Sequence, residues 1–280
     1  MRGPYRETGR AFDAVARRYD ALYGPEGNAV MEWMRRESLA LLKATFPRGS
    51  SLLEIGCGSG EEAIALAEAG RRVLATDLSP EMAMLAKAKA QARGVDRMVT
   101  ALAAPAADLG LLRPRRPFDG AFASFGSLNC EPDLARLSTA LTRLISPDGA
   151  FVCSVMPRCS PFETAWFLLH GRPRLAARRF RPGWQSASVG PGEGPGLYVL
   201  TRYLSIRQLR RLLSPGFSLT RTLSLPLLFP PPYLDTTFRR YRRTFAALEP
   251  LERVLRRTWP FRLWGDHVAA VFHRTGAGTS

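Results

Sequence analysis

The 280-residue sequence predicts an α/β fold built on a doubly wound parallel sheet. Three observations carry that expectation. From residue 51 onward, short apolar runs alternate with segments of helical periodicity, as strands joined by crossover helices do. Three glycines, Gly56, Gly58 and Gly60, close the first of those runs and open the helix behind it. The composition, 46% hydrophobic and 23% charged, is that of a globular chain and excludes a disordered or fibrous one. The length suits one large domain with insertions.

Residues 1–48 read as an N-terminal helical cap. Phe12, Val15, Ala16, Tyr19 and Leu22 recur at helical spacing, Gly24-Pro-Glu-Gly27 interrupts, and Val30, Trp33, Met34, Leu39 and Leu42 resume the pattern. Residues 49–157 read as the core. Within it, strand 51–55 leads to a helix over 61–69 that Gly70 stops, and then to strand 72–76. Ser79 caps, and Pro80 begins, a helix running to Gly94. Strands follow near 98–102, 120–124 and 150–155, with a helix over 132–145 before the turn Ser146-Pro-Asp-Gly149. Residues 198–228 continue the core as strand 198–204, a helix over 206–213 capped by Ser205, and strand 217–223. Residues 265–280 supply a last strand, 267–273, and a tail. The stretches 158–197 and 229–264, rich in Arg, Pro and aromatic residues, read as lid insertions.

No run of 18 apolar residues occurs, so no transmembrane helix is expected. The first residues mix charges without an apolar stretch, so no secretory signal is expected either. Cys57, Cys130, Cys153 and Cys159 include no Cys-x-x-Cys pair and fit neither a disulfide framework nor a zinc site. A reducing, cytoplasmic setting without a bound metal is the expectation. The net charge of +16 is uneven. Residues 1–150 hold 20 basic and 18 acidic side chains, whereas residues 151–280 hold 20 basic, all Arg, and only 6 acidic. That asymmetry points to an anionic partner for the second half.

The glycine loop reads Leu53-Glu54-Ile55-Gly56-Cys57-Gly58-Ser59-Gly60, a G-x-G-x-G pattern distinct from the G-x-G-x-x-G of dinucleotide binders. Asp77 ends the next strand, 21 residues after Gly56, where a carboxylate can accept hydrogen bonds from ribose hydroxyls. Taken alone, Asp77 is more often a helix-capping or turn residue and Tyr19 more often a core residue. Taken together and in this order, these residues resemble the class I S-adenosylmethionine-dependent methyltransferases of the small-molecule type, similar to the quinone-biosynthesis C-methyltransferases. The resemblance covers residues 11–157 and, more loosely, 198–274. It implies a Rossmann-like, mostly parallel sheet with an antiparallel last strand and helical lid insertions, and S-adenosyl-L-methionine as cofactor. It further implies that Glu54, Gly56, Cys57, Gly58 and Gly60 shape the loop for the methionine part, that Asp77 takes the ribose, and that Leu78, Met82 and the backbone of Ala106 lie at the adenine. Pro105 stands where the family often has an acidic residue. By the same resemblance Ser124 and Phe125 line the methyl-donor site. Tyr19, in Phe12-Asp13-x-x-Ala16-x-x-Tyr19-Asp20, closes over the cofactor.

Ligands of open parallel sheets bind beyond the carboxyl ends of the strands, and both insertions leave from such ends. With an antiparallel last strand, Gly265-Asp266-His267 begins at that same rim, which makes Asp266 and His267 candidates for a base or substrate contact. The alternative is a structural hydrogen-bonded pair. Tyr19, Asn129 and Glu163 are further candidates. Over 238–257, Phe238, Tyr241, Phe245, Leu248, Leu251 and Leu255 share one helical face, with Arg239, Arg240, Arg242, Arg243, Arg253, Arg256 and Arg257 largely opposite and a kink expected at Pro250. This reads as an amphipathic lid with a solvated arginine face; peripheral docking on an anionic membrane is the second reading and nucleic-acid binding the third. Pro230-Pro-Pro-Tyr233 is similar to the D/N-P-P-Y motif of DNA amino-methyltransferases, but that motif belongs after strand four, where this chain has Ser124-Phe-Gly-Ser-Leu-Asn129. Nucleic acid is therefore not the expected partner. The expected function is methyl transfer to a small or lipid-like acceptor under a basic, aromatic lid; an RNA methyltransferase or a non-catalytic cofactor-binding or assembly protein are the alternatives. The sequence leaves the oligomeric state open.

Overall fold

In the computed structural model, which describes residues 3–24, 26–189 and 197–275, helices α1 (Gly3–Tyr23) and α2 (Ala29–Thr45) precede the sheet. The parallel strands are β1 (Ser51–Ile55), β2 (Arg72–Asp77), β3 (Val99–Ala103), β4 (Phe118–Ala123) and β5 (Ile145–Val155). Helices α3 (Glu61–Glu68), α4 (Pro80–Ala92) and α5 (Leu134–Leu144) lie between them in sequence. After β5 come α6 (Pro161–Leu169), α7 (Pro173–Ala176) and a hairpin of β6 (Gln185–Val189) with β7 (Leu197–Thr201). Then follow α8 (Ile206–Leu213), β8 (Phe217–Leu225), α9 (Asp235–Arg240), α10 (Arg242–Leu255) and β9 (His267–Arg274). The large sheet has the order β3-β2-β1-β4-β5-β9-β8, and β9 runs antiparallel to both of its neighbours.

Strand alternation builds a core on each face of this sheet. Leu53 and Ile55, Ala121 and Ala123, Phe151 and Cys153, and Ala270 and Phe272 turn to one face and meet α5 and α8 through Leu137, Leu141, Leu209 and Leu213. Leu52, Val73, Phe122, Val152 and Val271 turn to the other, against Leu42 and Phe46 of α2, Ile64 of α3 and Ala86 of α4. Glu54 shares the parity of Leu52, so it points toward the α2–α3 side. A third cluster joins α2 to the second insertion through Trp33, Met34, Phe229 and Phe245, with Phe125 packed at its edge. No helix among the described residues is long and apolar enough to cross a membrane.

Several expected elements are corrected. The strand expected at 198–204 is β7, which pairs with β6 in a separate two-stranded sheet and takes no part in the core. The core continuation begins instead at α8. β5 starts at Ile145, earlier than the Ser146–Gly149 turn suggested, and its pairing with β4 shifts register between Phe118 and Gly120. The single amphipathic helix expected over 238–257 is broken at Tyr241 into α9 and α10, while Pro250 is accommodated inside α10. Tyr241 and Leu251 of its expected apolar face are exposed, and Arg256 of its expected solvated face is buried. Arg256 pairs with Glu37 and lies 5.4 Å from the Trp33 ring centre, so packing against α2 overrides the helical pattern.

The second insertion is pinned by Glu252, which is fully buried on α10 and accepts the backbone N–H groups of Leu227 (2.9 Å) and Leu228 (2.6 Å) beyond β8. Glu252→Ala strands both donors. Urea denaturation is expected to show a loss of about 2–4 kcal/mol, against a much smaller change for Arg253→Ala on the exposed side of the same helix.

Candidate functional site

The glycine loop sits at the carboxyl end of β1, and its backbone requires glycine for steric reasons. Gly56 (φ +74°) and Gly60 (φ +81°) are left-handed, and a β-carbon would fall 2.5 Å from Ser127 Cβ or 2.8 Å from Ala86 Cβ. At Gly58 (φ +51°) an added carbon would lie 3.4 Å from the Tyr19 ring. The structure thus brings Tyr19 over the loop. α1 is clipped there by its own acids: Asp13 accepts the Ser79 hydroxyl (2.5 Å) at the start of α4, and Asp20 pairs with Lys89 (2.8 Å). The Phe12–Asp20 signature therefore fastens the cap helix to α4.

Asp77 ends β2 and closes the loop from the side. One carboxylate oxygen accepts the Gly58 N–H and the other the Ser79 N–H, both at 2.8 Å. Burial pushes its pKa up to about 6, against the opposite pull of those two N–H groups. Glu54 is buried with both carboxylate oxygens free of any hydrogen-bond partner. Burial, with the nearby Glu62 and Asp77 charges, raises it well above the usual carboxylate range, while Arg35 acts in the other direction. Arg35 is buried on α2, donates to Glu62 (2.8 Å) and lies 5.9 Å from the Phe125 ring centre. Its Nη1 makes no hydrogen bond. A buried carboxylate with no hydrogen bond and a buried guanidinium nitrogen whose nearest anion is Glu32 at 4.0 Å, beside a glycine loop, suit a zwitterionic amino-acid group, which carries an ammonium and a carboxylate.

The remaining expected residues are placed as follows. Cys57 is buried, with its N–H on the Thr76 carbonyl and its thiol pushed up chiefly by burial. Leu78 is half-buried beside Gly9 of α1, and Met82 is fully buried against Val15 and Ala16. Ala106 opens a 3-10 turn after β3. Ser124 and Phe125 leave β4. Phe125 has φ +49°, rare for a non-glycine residue, and its N–H is held by Ser154 Oγ at 2.7 Å. Asn129 is fully buried, and its amide is spent on the backbone of Met156 and Arg202, which it braces together.

At the start of β9, His267 Nδ1 lies 2.8 Å from Asp266 Oδ2. Because β9 is antiparallel, with Val268 opposite Val155 and His267 opposite Leu225, the pair stands at the carboxyl rim of β4 and β5. Asp266 Oδ1 accepts from Arg179 Nη2 (2.5 Å), and Arg179 is in turn doubly bonded to Glu163 on α6. Asp266 is buried, which alone would raise its pKa, yet the neighbouring His267 and Arg179 bring it down to about 2. It is an acceptor at neutral pH, so it holds the Nδ1–H tautomer of His267 and leaves the lone pair on Nε2. Nε2 faces Gly126, where an added β-carbon would lie 3.5 Å away, and the ring meets Phe125 edge-on at 6.4 Å. Glu163 thus acts on the pair through Arg179. Arg35 and Arg179 escape sequence reading because each sits in an Arg-Arg pair. The isolated acid Glu163 in a basic stretch is the signal that could have exposed Arg179.

The sheet order, with the glycine loop ending β1 and the acid ending β2, is that of a Rossmann-like α/β fold. Residues 52–149 match the methyltransferase domain family. A demethylmenaquinone methyltransferase of Thermus thermophilus is 33% identical over 154 residues, 52% of this chain and 64% of the relative. The match thus spans just under two thirds of that protein. An uncharacterised protein of Methanocaldococcus jannaschii is 26% identical over 84% of this chain and 86% of its own length. Among solved structures, the CcbJ methyltransferase of Streptomyces caelestis superposes with a TM-score of 0.63 at 18% identity, covering 96% of this chain and 99% of that one. Over its α/β core the chain is thus similar to methyltransferases.

Asp77 carries a pH test. Folding raises its pKa, so the folded chain binds this proton more tightly than the unfolded chain does, and its contribution to stability is lost as pH rises from about 4 to about 6. Denaturation of wild type and Asp77→Asn across that window is expected to show the wild type losing up to about 3 kcal/mol relative to the variant.

Proposed function

We propose that the chain transfers the methyl group of S-adenosylmethionine to a small or lipid-like acceptor through a protic nucleophile, with His267 as general base. The observation that carries this reading is the His267–Asp266 pair at the rim beside Phe125, its Nε2 free of a hydrogen bond among the described residues. Glu54 would take the ammonium and Arg35 the carboxylate of the methionine moiety, Asp77 the ribose, and Tyr19 would cover them. The orphaned carboxylate and guanidinium atoms support that assignment. Bound there, the cofactor supplies a methyl group activated by a sulfonium. The protein's part is to hold, to exclude water and to move one proton. The Phe125–Gly126 turn shapes the floor beside His267. Asp266 fixes the tautomer and stabilises the imidazolium formed when Nε2 takes the acceptor's proton. Arg179 and Glu163 keep Asp266 ionised and aimed. Phe162, Phe167 and Tyr233 of the two insertions would roof the same rim; the Phe167 and Tyr233 rings stack with centres 6.3 Å apart, and the Arg178 guanidinium lies 5.6 and 5.2 Å from those centres. This apolar roof supports an aromatic or lipid-like acceptor.

The test pairs isotopically labelled cofactor with fractionated extract to find the acceptor, then compares variants on it. His267→Ala is expected to cut turnover about 100-fold or more while calorimetric affinity for the cofactor changes less than about threefold. Unchanged turnover would remove the base, and absent cofactor binding by the wild type would remove the whole reading.

A further inference from the structure

α6, α7 and the 3-10 turn Arg178–Phe180 form a short helical hairpin above the Arg179–Asp266 pair. Its inner side is accounted for by Glu163, Arg178 and Arg179. Its exposed side chains include several large apolar groups. Leu168 is 56% exposed, Leu169 84%, Phe180 55%, and Leu175 and Trp184 are also exposed. Exposed leucines scattered singly are ordinary, but this many large side chains in one short stretch are not. The charge around them has one sign. From Thr164 to Val189 the chain contains five arginines and His170 but neither Asp nor Glu. Arg178 and Arg179 turn inward to Glu163, whereas Arg174 and Arg181 are exposed beside the apolar tips.

We propose that this hairpin docks the protein on an anionic lipid surface. Leu168, Leu169 and Phe180 would enter the boundary between headgroups and acyl chains, and Arg174 and Arg181 would meet the lipid phosphates. Charge decides among possible occupants. A second copy laying the same patch on this one would set arginine against arginine. A nucleic acid would find charge, and Phe180 and Trp184 to stack on, but it would leave Leu168, Leu169 and Leu175 in water. An anionic bilayer satisfies both the apolar and the basic groups. The exposed apolar residues of α10, Leu251 and Val254, lie instead among mixed charges, with Arg253 paired to Glu249 at 2.8 Å. The lipid contact belongs to residues 161–184, not to the 238–257 stretch, for which membrane docking is the second reading of the sequence. The proposal goes beyond the methyl-transfer reading and does not rest on it.

Co-sedimentation of the full chain with vesicles tests it, using phosphatidylcholine alone and phosphatidylcholine with phosphatidylglycerol as a third of the lipid. The wild type is expected to bind the anionic vesicles. Leu169→Ser with Phe180→Ser is expected to weaken that binding at least about tenfold. Arg174→Gln with Arg181→Gln should remove the preference for anionic lipid, and Leu251→Ser with Val254→Ser should bind as wild type does. Circular dichroism checks folding, and Leu169→Ser alone reads the same effect should the double variant not fold. The proposal is overturned if wild type stays in the supernatant, if Leu169→Ser with Phe180→Ser still binds fully, or if the α10 variant is the one that loses binding. It is equally overturned if light scattering shows a dimer that the Leu169 variant dissolves, or if single-stranded RNA displaces the protein from vesicles.

Discussion

A guanidinium taken out of water must find anions and carbonyls inside the protein, and Arg179 finds them on three separate stretches of chain. It is 3% exposed, binds Glu163 of α6, the Asp266 carboxylate before β9 and the carbonyl oxygens of Pro157 and Asp266. The first insertion, the end of β5 and the start of β9 therefore cannot separate without leaving charges buried and unpaired. The orientation of His267 depends on this arrangement, because Asp266 is shared between the two side chains. The first insertion is thus tied to the candidate base by ion pairs.

The cofactor loop obeys a different constraint. Its glycines are required by close approaches to Ser127, Ala86 and Tyr19, and its charges come from elements far apart in sequence. Glu54 lies on β1, Glu62 on α3, Asp77 on β2 and Arg35 on α2. Three acids beside one buried arginine leave the loop poor in compensating charge. Raised carboxyl pKa values at Glu54 and Asp77 are the physical result.

The basic second half also divides once the structure is known. Arg178, Arg179 and Arg256 are spent on Glu163, Asp266 and Glu37, so part of the charge excess is internal bracing. Other arginines, Arg174 and Arg181 among them, face water. The charge asymmetry in the sequence thus sums two roles that composition cannot separate.

Periodicity and turn chemistry in the sequence were enough to locate the strands of the core, the helices between them and the G-x-G-x-G loop followed by Asp77, because those signals are local. Residue order alone also marked His267 and Asp266 as rim residues, given a reversed last strand. Tertiary structure decided the rest. It moved Tyr198–Thr201 out of the core sheet, buried Arg256 against Trp33, turned Asn129 into a brace, and brought Arg35 and Arg179 to the two halves of the site. Those outcomes depend on which distant partner satisfies a buried charge or strand edge. Such partners are set by packing in three dimensions, and spacing along the chain does not encode them.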